Sequence, residues 1–181
     1  MTGLVVWITG RPSAGKSTFA AALAEALRSQ GVAVALLDGD DVRGALRPRP
    51  GYDEASRDAF YETLANLAAL LARQALIVLV PATAARVDFR RRAKLCAPAY
   101  MEVFVDVSLE EARARDAKGL YRALREGRVH GVPGEDVPYD TPLRPDVVAR
   151  GGRDAEALRE SLDRIRGLLT PRGSTEQLGG Q

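Results

Sequence analysis

Gly10-Arg11-Pro12-Ser13-Ala14-Gly15-Lys16-Ser17 spell G-x-x-x-x-G-K-S, and no other stretch constrains the fold of this chain as strongly. The motif follows the apolar run Leu4–Thr9, which reads as a buried strand. It precedes the Ala/Leu-rich stretch Ser17–Arg28, which reads as a helix. That placement is what the motif needs to cradle phosphate. Glycines allow a tight turn, backbone N–H groups converge on the anion, and the helix N-terminus adds positive potential. The bland alternative is a Gly-rich turn with no ligand, but strand, loop and helix all agree on the first reading. Lys16 is then expected to reach the β- and γ-phosphates, and Ser17 to ligate Mg²⁺.

The rest of the chain continues the alternation. Ala33–Leu37, Leu76–Val80 and Met101–Val107 read as strands. Glu54–Arg73 places Phe60, Leu64, Leu67 and Leu71 at helical spacing, and Val87–Cys96 reads as a basic helix. Ser108 suits an N-cap for Leu109–Arg115, Lys118–Arg128 reads as a short helix, and Asp154–Leu169 as the closing one. Nearly all-apolar strands alternating with helices predict an α/β fold, a P-loop NTPase-type parallel sheet with helices on both faces. The expected organisation is a single P-loop domain over residues 1–170, with a lid at about 113–145 and a flexible tail at 171–181. Gly131–Pro145 is too rich in Pro and Gly for regular structure and reads as a long loop.

Composition removes several function classes. The chain has 181 residues and a net charge of +2, so bulk charge argues for neither nucleic acid nor membrane as partner. One cysteine, Cys96, makes no internal disulfide, and one histidine, His130, argues against a His-based zinc site or a Ser-His-Asp triad. No signal peptide is legible, which predicts a cytoplasmic setting. Of the 26 basic residues only Lys16, Lys94 and Lys118 are lysines.

Strand Ala33–Leu37 runs into Asp38-Gly39-Asp40-Asp41-Val42-Arg43. In a parallel sheet the strand C-termini form the ligand crevice, so these carboxylates are candidates for Mg²⁺ positioning or for accepting a hydroxyl proton. A solvated turn is the alternative, since Asp and Gly are common turn residues. Arg113, Arg115, Lys118, Arg122, Arg125 and Arg128 cluster before the Pro/Gly loop. They read either as a lid whose cations offset phosphate charge or as a solvated basic face. Arg115 and Lys118 are the candidates here, with Arg122, Arg125 and Arg128 taken as surface. The missing Asn/Thr-Lys-x-Asp element favours a small-molecule kinase over a GTPase.

Three blocks, Gly10–Thr18 (GRPSAGKST), Leu37–Arg43 (LDGDDVR) and Phe104–Gly127 with its R-D-x-K-G-L-Y, resemble the adenylylsulfate kinase family across roughly residues 4–148. That resemblance implies phosphorylation of the 3′-hydroxyl of adenosine 5′-phosphosulfate (APS) by MgATP. It implies Lys16, Asp38 and Asp40 as catalytic residues, with Asp40 base-like, and Ser17 and Asp38 as Mg²⁺ positions. It implies ATP contacts from Gly10, Arg11, Pro12, Ser13, Ala14, Gly15, Lys16, Ser17, Thr18, Arg115 and Lys118. Asp40, Arg43, Tyr52 and Arg57 would face the acceptor, and the family often pairs as homodimers. Other readings are a related kinase acting on another nucleotide conjugate or small anionic alcohol, or a degenerate nucleotide-binding regulator.

The chain departs from the family pattern on the acceptor side. Asp41 stands where D-G-D-N-V-R has Asn, and Phe60 where D-R-x-x-N has Asn. Pro81–Arg86 (PATAAR) replaces I-S-P-F-R, and Val132–Asp136 (VPGED) replaces F-T-G-I-D. Family members sandwich the substrate adenine between two aromatic rings. Tyr52 supplies one, and Val132 supplies none.

Overall fold

The computed structural model describes residues 3–116 and 118–169, so the expected tail at 171–181 lies outside the described residues. The framework is a five-stranded sheet of order β2-β3-β1-β4-β5, parallel at every pairing. The strands are β1 (Leu4–Thr9), β2 (Val34–Leu36), β3 (Ile77–Pro81), β4 (Tyr100–Val105) and β5 (Val147–Ala149). Between them run α1 (Lys16–Arg28), α2 (Gly39–Ala45), α3 (Glu54–Ala72), α4 (Val87–Cys96), α5 (Leu109–Arg115) and α6 (Leu120–Arg125), and α7 (Ala155–Leu169) closes the chain.

Successive strand side chains point to opposite faces, and β1 uses this to feed two cores. Leu4, Val6 and Ile8 pack with Phe19, Leu23 and Leu27 of α1 and Ile165 of α7. Val5 and Trp7 pack with Phe60 and Leu64 of α3 and Phe89 of α4. Every residue of β1 is buried. A strand covered on both faces must be apolar throughout, which is why its sequence shows no alternation.

Several elements differ from the sequence reading. The segment after β2, to which the sequence assigned no element, is the helix α2, and Asp38 caps it: Asp38 Oδ1 accepts from the Asp40 backbone N–H at 2.9 Å. β5 is absent from the sequence reading, since three residues between Pro145 and Gly151 are too short to show a period. The expected helix Lys118–Arg128 contracts to Leu120–Arg125, with left-handed Gly119 and Gly127 beside its two ends. The buried face of α3 carries Phe60 and Leu64 as expected and is completed by Ala65, Ala68, Ala69 and Ala72, whereas Leu67 and Leu71 are half-buried. Small side chains let that helix approach the sheet closely.

Arg90 of α4 is only 4% exposed. It donates through Nη1 to Ala84 O at 2.7 Å and through Nη2 to Asp140 O at 2.7 Å. Its Nε lies 2.9 Å from Glu102 Oε1 on β4, an ion pair poorly aligned as a hydrogen bond. One guanidinium thus ties the segment after β3, the 131–145 loop and the sheet together. Burial raises the Glu102 carboxyl above its usual range, and Arg90 pulls it back. Removing one member of a buried pair leaves the other charge uncompensated. Arg90→Met is therefore expected to cost about 3 kcal/mol in denaturant unfolding. Arg90→Met combined with Glu102→Leu should recover part of that loss.

Candidate active site

The loop after β1 is held open by geometry that only glycine tolerates at one point. Gly15, the residue before α1, has φ 103°, and a Cβ there would lie 2.7 Å from Gly152 N. The turn after β5 therefore backs directly onto the phosphate loop. Ser13 also adopts a left-handed φ of 60°. Lys16 Nζ donates to Arg11 O at 2.8 Å, so the lysine bridges its own loop. The Arg11 side chain runs the other way, toward Gly134 and over the Tyr139 ring with its guanidinium carbon 5.5 Å from the centroid.

The carboxylates expected beside this loop are there. Asp38 uses both oxygens: Oδ1 caps α2, and Oδ2 accepts from Ser17 Oγ at 2.5 Å. One residue thus sets the start of α2 and the position of the hydroxyl at the start of α1. Asp40, two residues on and exposed, pairs with Lys118. Asp41 is also exposed and adds to the negative field felt by Lys118. The hydrogen bond to Asp40 holds the Lys118 ammonium above its usual range.

The R-D-x-K-G-L-Y element accounts for the cover over the loop, residue by residue. Arg115 Nη1 donates to Ala14 O at 3.1 Å. Asp116, at a left-handed φ of 26°, turns the chain and accepts from the Tyr121 and Arg122 backbone N–H groups at 3.0 and 2.9 Å, capping α6. Lys118 reaches Asp40. The Tyr121 hydroxyl donates to Pro12 O at 2.9 Å. Asp116 and Tyr121 carried no assigned role in the sequence reading, although both sit in its most diagnostic block. Arg122, Arg125, Arg128 and His130 are exposed. Arg113 forks onto Glu135 at 2.5 and 2.7 Å, tying α5 to the following loop.

The residues expected to face the acceptor form a second group. Arg43 is buried in α2 and stacks over Phe60 and Tyr52. Arg57 Nη2 donates to Gly131 O at 2.5 Å, linking α3 to the loop. Tyr52 is 58% exposed and presents a free ring face. Val132 is 2% exposed and packs in the main core, so it offers nothing to a stacked base.

Lys16 is half-buried overall, and loss of hydration pushes its ammonium down to about 8, against the pull of Asp40 and Asp38. Bound polyphosphate favours the charged form and raises that value again. The bound state then holds more protons than the free state near pH 8, so binding takes up protons there. In metal-free buffer at pH 8, titration calorimetry across buffers of different ionisation enthalpy should show uptake of about half a proton per ATP. Lys16→Ala should abolish that uptake.

Residues 2–150 match the family model described as adenylylsulphate kinase. The adenylyl-sulfate kinase of a Picosynechococcus species is 37% identical over 171 residues, covering 94% of this chain and 96% of that one. The Deinococcus deserti adenylyl-sulfate kinase is 40% identical over 166 residues, covering 91% and 92%. The Mycobacterium tuberculosis APS kinase, solved with AMPPNP and APS, superposes with a TM-score of 0.85 at 32% identity, over 91% of this chain and 98% of that one. With a P-loop, a capped carboxylate helix and the R-D-x-K-G-L-Y cover in place, the chain belongs to the adenylylsulphate kinase family of ATP-dependent phosphotransferases.

Proposed function

We propose that this chain transfers the γ-phosphoryl group of ATP to the 3′-hydroxyl of APS. The observation that carries the reading is the Lys118–Asp40 pair, which sets a carboxylate and a cover cation beside the phosphate loop. Family membership supplies the acceptor class.

Phosphoryl transfer asks the protein for positioning and charge stabilisation rather than covalent chemistry. In this reading the loop amides and Lys16 hold the β- and γ-phosphates. Asp40 accepts the proton of the attacking hydroxyl, and Lys118 orients that carboxylate until the acceptor arrives. Arg115, already against the loop at Ala14 O, closes over the nucleotide. Residues of the expected lid at about 113–145 exclude water as they close. Arg43 and Arg57 receive the anionic end of the acceptor.

The donor set fits Mg²⁺. Ser17 Oγ and Asp38 Oδ2 are hard oxygens 2.5 Å apart, and they would hold the ion. Among the described residues no group of three or more His, Cys, Asp or Glu gathers for a metal. That suits an ion completed by phosphate oxygens and water, as Mg²⁺ commonly is. Bound there, it neutralises charge on the transferring phosphate.

Buried Val132 favours one further reading: the same chemistry on an acceptor that depends less on adenine stacking. ADP release from MgATP with a panel of anionic alcohols separates the two. Turnover at micromolar APS supports the first, and turnover only with other acceptors supports the second. Lys16→Ala is expected to lower turnover by about a thousandfold. Asp40→Asn should lower kcat by about a hundredfold or more while the KM for ATP stays within about threefold. Equal losses in both would make Asp40 a binding residue.

A further inference from the structure

Arg43 is 4% exposed, and among the described residues no carboxylate forms an ion pair with it. Burial lowers its guanidinium from the ordinary value, with Tyr52, Tyr61 and the more distant Asp40 opposing. Two rings clamp the cation instead. Its central carbon lies 3.8 Å from the Phe60 centroid and 4.5 Å from that of Tyr52. Nη1 donates to Pro50 O at 3.2 Å and to Gly51 O at 2.6 Å, which commits that nitrogen. Nε and Nη2 remain. Together they form the side-on edge of the guanidinium, which takes two oxygens of one oxyanion in parallel.

The two rings are not equivalent. Tyr52 is 58% exposed and sits before α3, whereas Phe60 is 3% exposed and packed in the core with Trp7 and Leu64. Only Phe60 is fixed by its surroundings. A ring anchored in the core sets the plane of the guanidinium, and the carbonyls of Pro50 and Gly51 set its rotation within that plane. The direction of the free edge is then determined.

We propose that Phe60 is a positioning residue for the acceptor, holding Arg43 so that its Nε–Nη2 edge grips the phosphate or sulfate end. The proposal rests on the function given above, in that the anion is the acceptor's. Where D-R-x-x-N has a polar side chain, this chain has a ring beneath its anion-binding arginine. At Val132 it has lost a ring for the base. Recognition has moved from the base end of the acceptor toward its anionic end.

Steady-state kinetics with MgATP and APS test this in wild type, Phe60→Leu and Phe60→Tyr. Cation–π contacts are strong when desolvated, so Phe60→Leu should raise the KM for APS about tenfold. Its kcat and KM for ATP should stay within about twofold, since neither depends on that edge. Phe60→Tyr keeps the ring and should restore the KM. An unchanged KM in Phe60→Leu, or equal losses in kcat and both KM values, would overturn the proposal and leave Phe60 as core packing. A second readout needs no turnover: ring current shifts the Arg43 Nε–H signal upfield in ¹H–¹⁵N spectra. Most of that shift should be lost in Phe60→Leu, the Tyr52 ring leaving a remainder, and it should persist in Phe60→Tyr. Should wild type turn over no APS while the shift behaves so, the acceptor assignment falls and the clamp stands. Should Phe60→Leu leave the shift in place, the clamp itself falls.

Discussion

β1 is paired on both sides, with β3 along one edge and β4 along the other, and both its faces are buried. A strand locked in four directions cannot slide or tilt, so its carboxyl end is the most firmly placed point in the molecule. The phosphate loop starts there. Everything the site needs is then referred to that point. The Gly151–Gly152 turn backs the loop, Tyr121 and Arg115 touch it from the cover, and Asp38 reaches Ser17 from the neighbouring crossover. In a parallel sheet these contributions all come from carboxyl ends of strands, which is why residues over a hundred positions apart meet.

Charge near the loop is set by burial as well as by pairing. Lys16 is drawn out of water and loses some affinity for its proton, while exposed Lys118 gains some from Asp40. Two lysines near one loop are thus tuned in opposite directions by burial and by a carboxylate. A compact ammonium suits a place between phosphates in a way a guanidinium fork does not. That gives a physical reason for two of the three lysines in an Arg-rich chain to stand here. Arg43 and Arg57 present guanidinium groups instead, the first stacked on rings and both tied to carbonyls.

How much of this was legible depends on whether a feature was local. The phosphate loop was, because strand, glycines, lysine and helix are contiguous. The strands β1 to β4 were legible as apolar runs; in β1 and β3 every residue is buried, which leaves no other composition. The conformation of α2 was left open by the sequence, although Asp38 is a good N-cap, because a helix of seven residues has little periodic signal. β5 was not legible because only Val147–Ala149 are apolar there, between Asp146 and Arg150, whereas β2 lies in the five-residue apolar run Ala33–Leu37. The alanine face of α3 was hidden behind its leucines, which promise more burial than a close helix–sheet approach leaves room for.

The sequence by itself determined the phosphate-binding chemistry, the parallel α/β class and the family, because each is written in contiguous residues whose conformation is set by near neighbours. Only the tertiary structure decided which long-range partners those residues take. Arg115 on Ala14 O, Lys118 on Asp40, Val132 in the core and Arg43 between Phe60 and Tyr52 are contacts between segments whose spacing in sequence carries no trace of them. Side chains of this length can reach several partners, and packing of the intervening elements alone selects one.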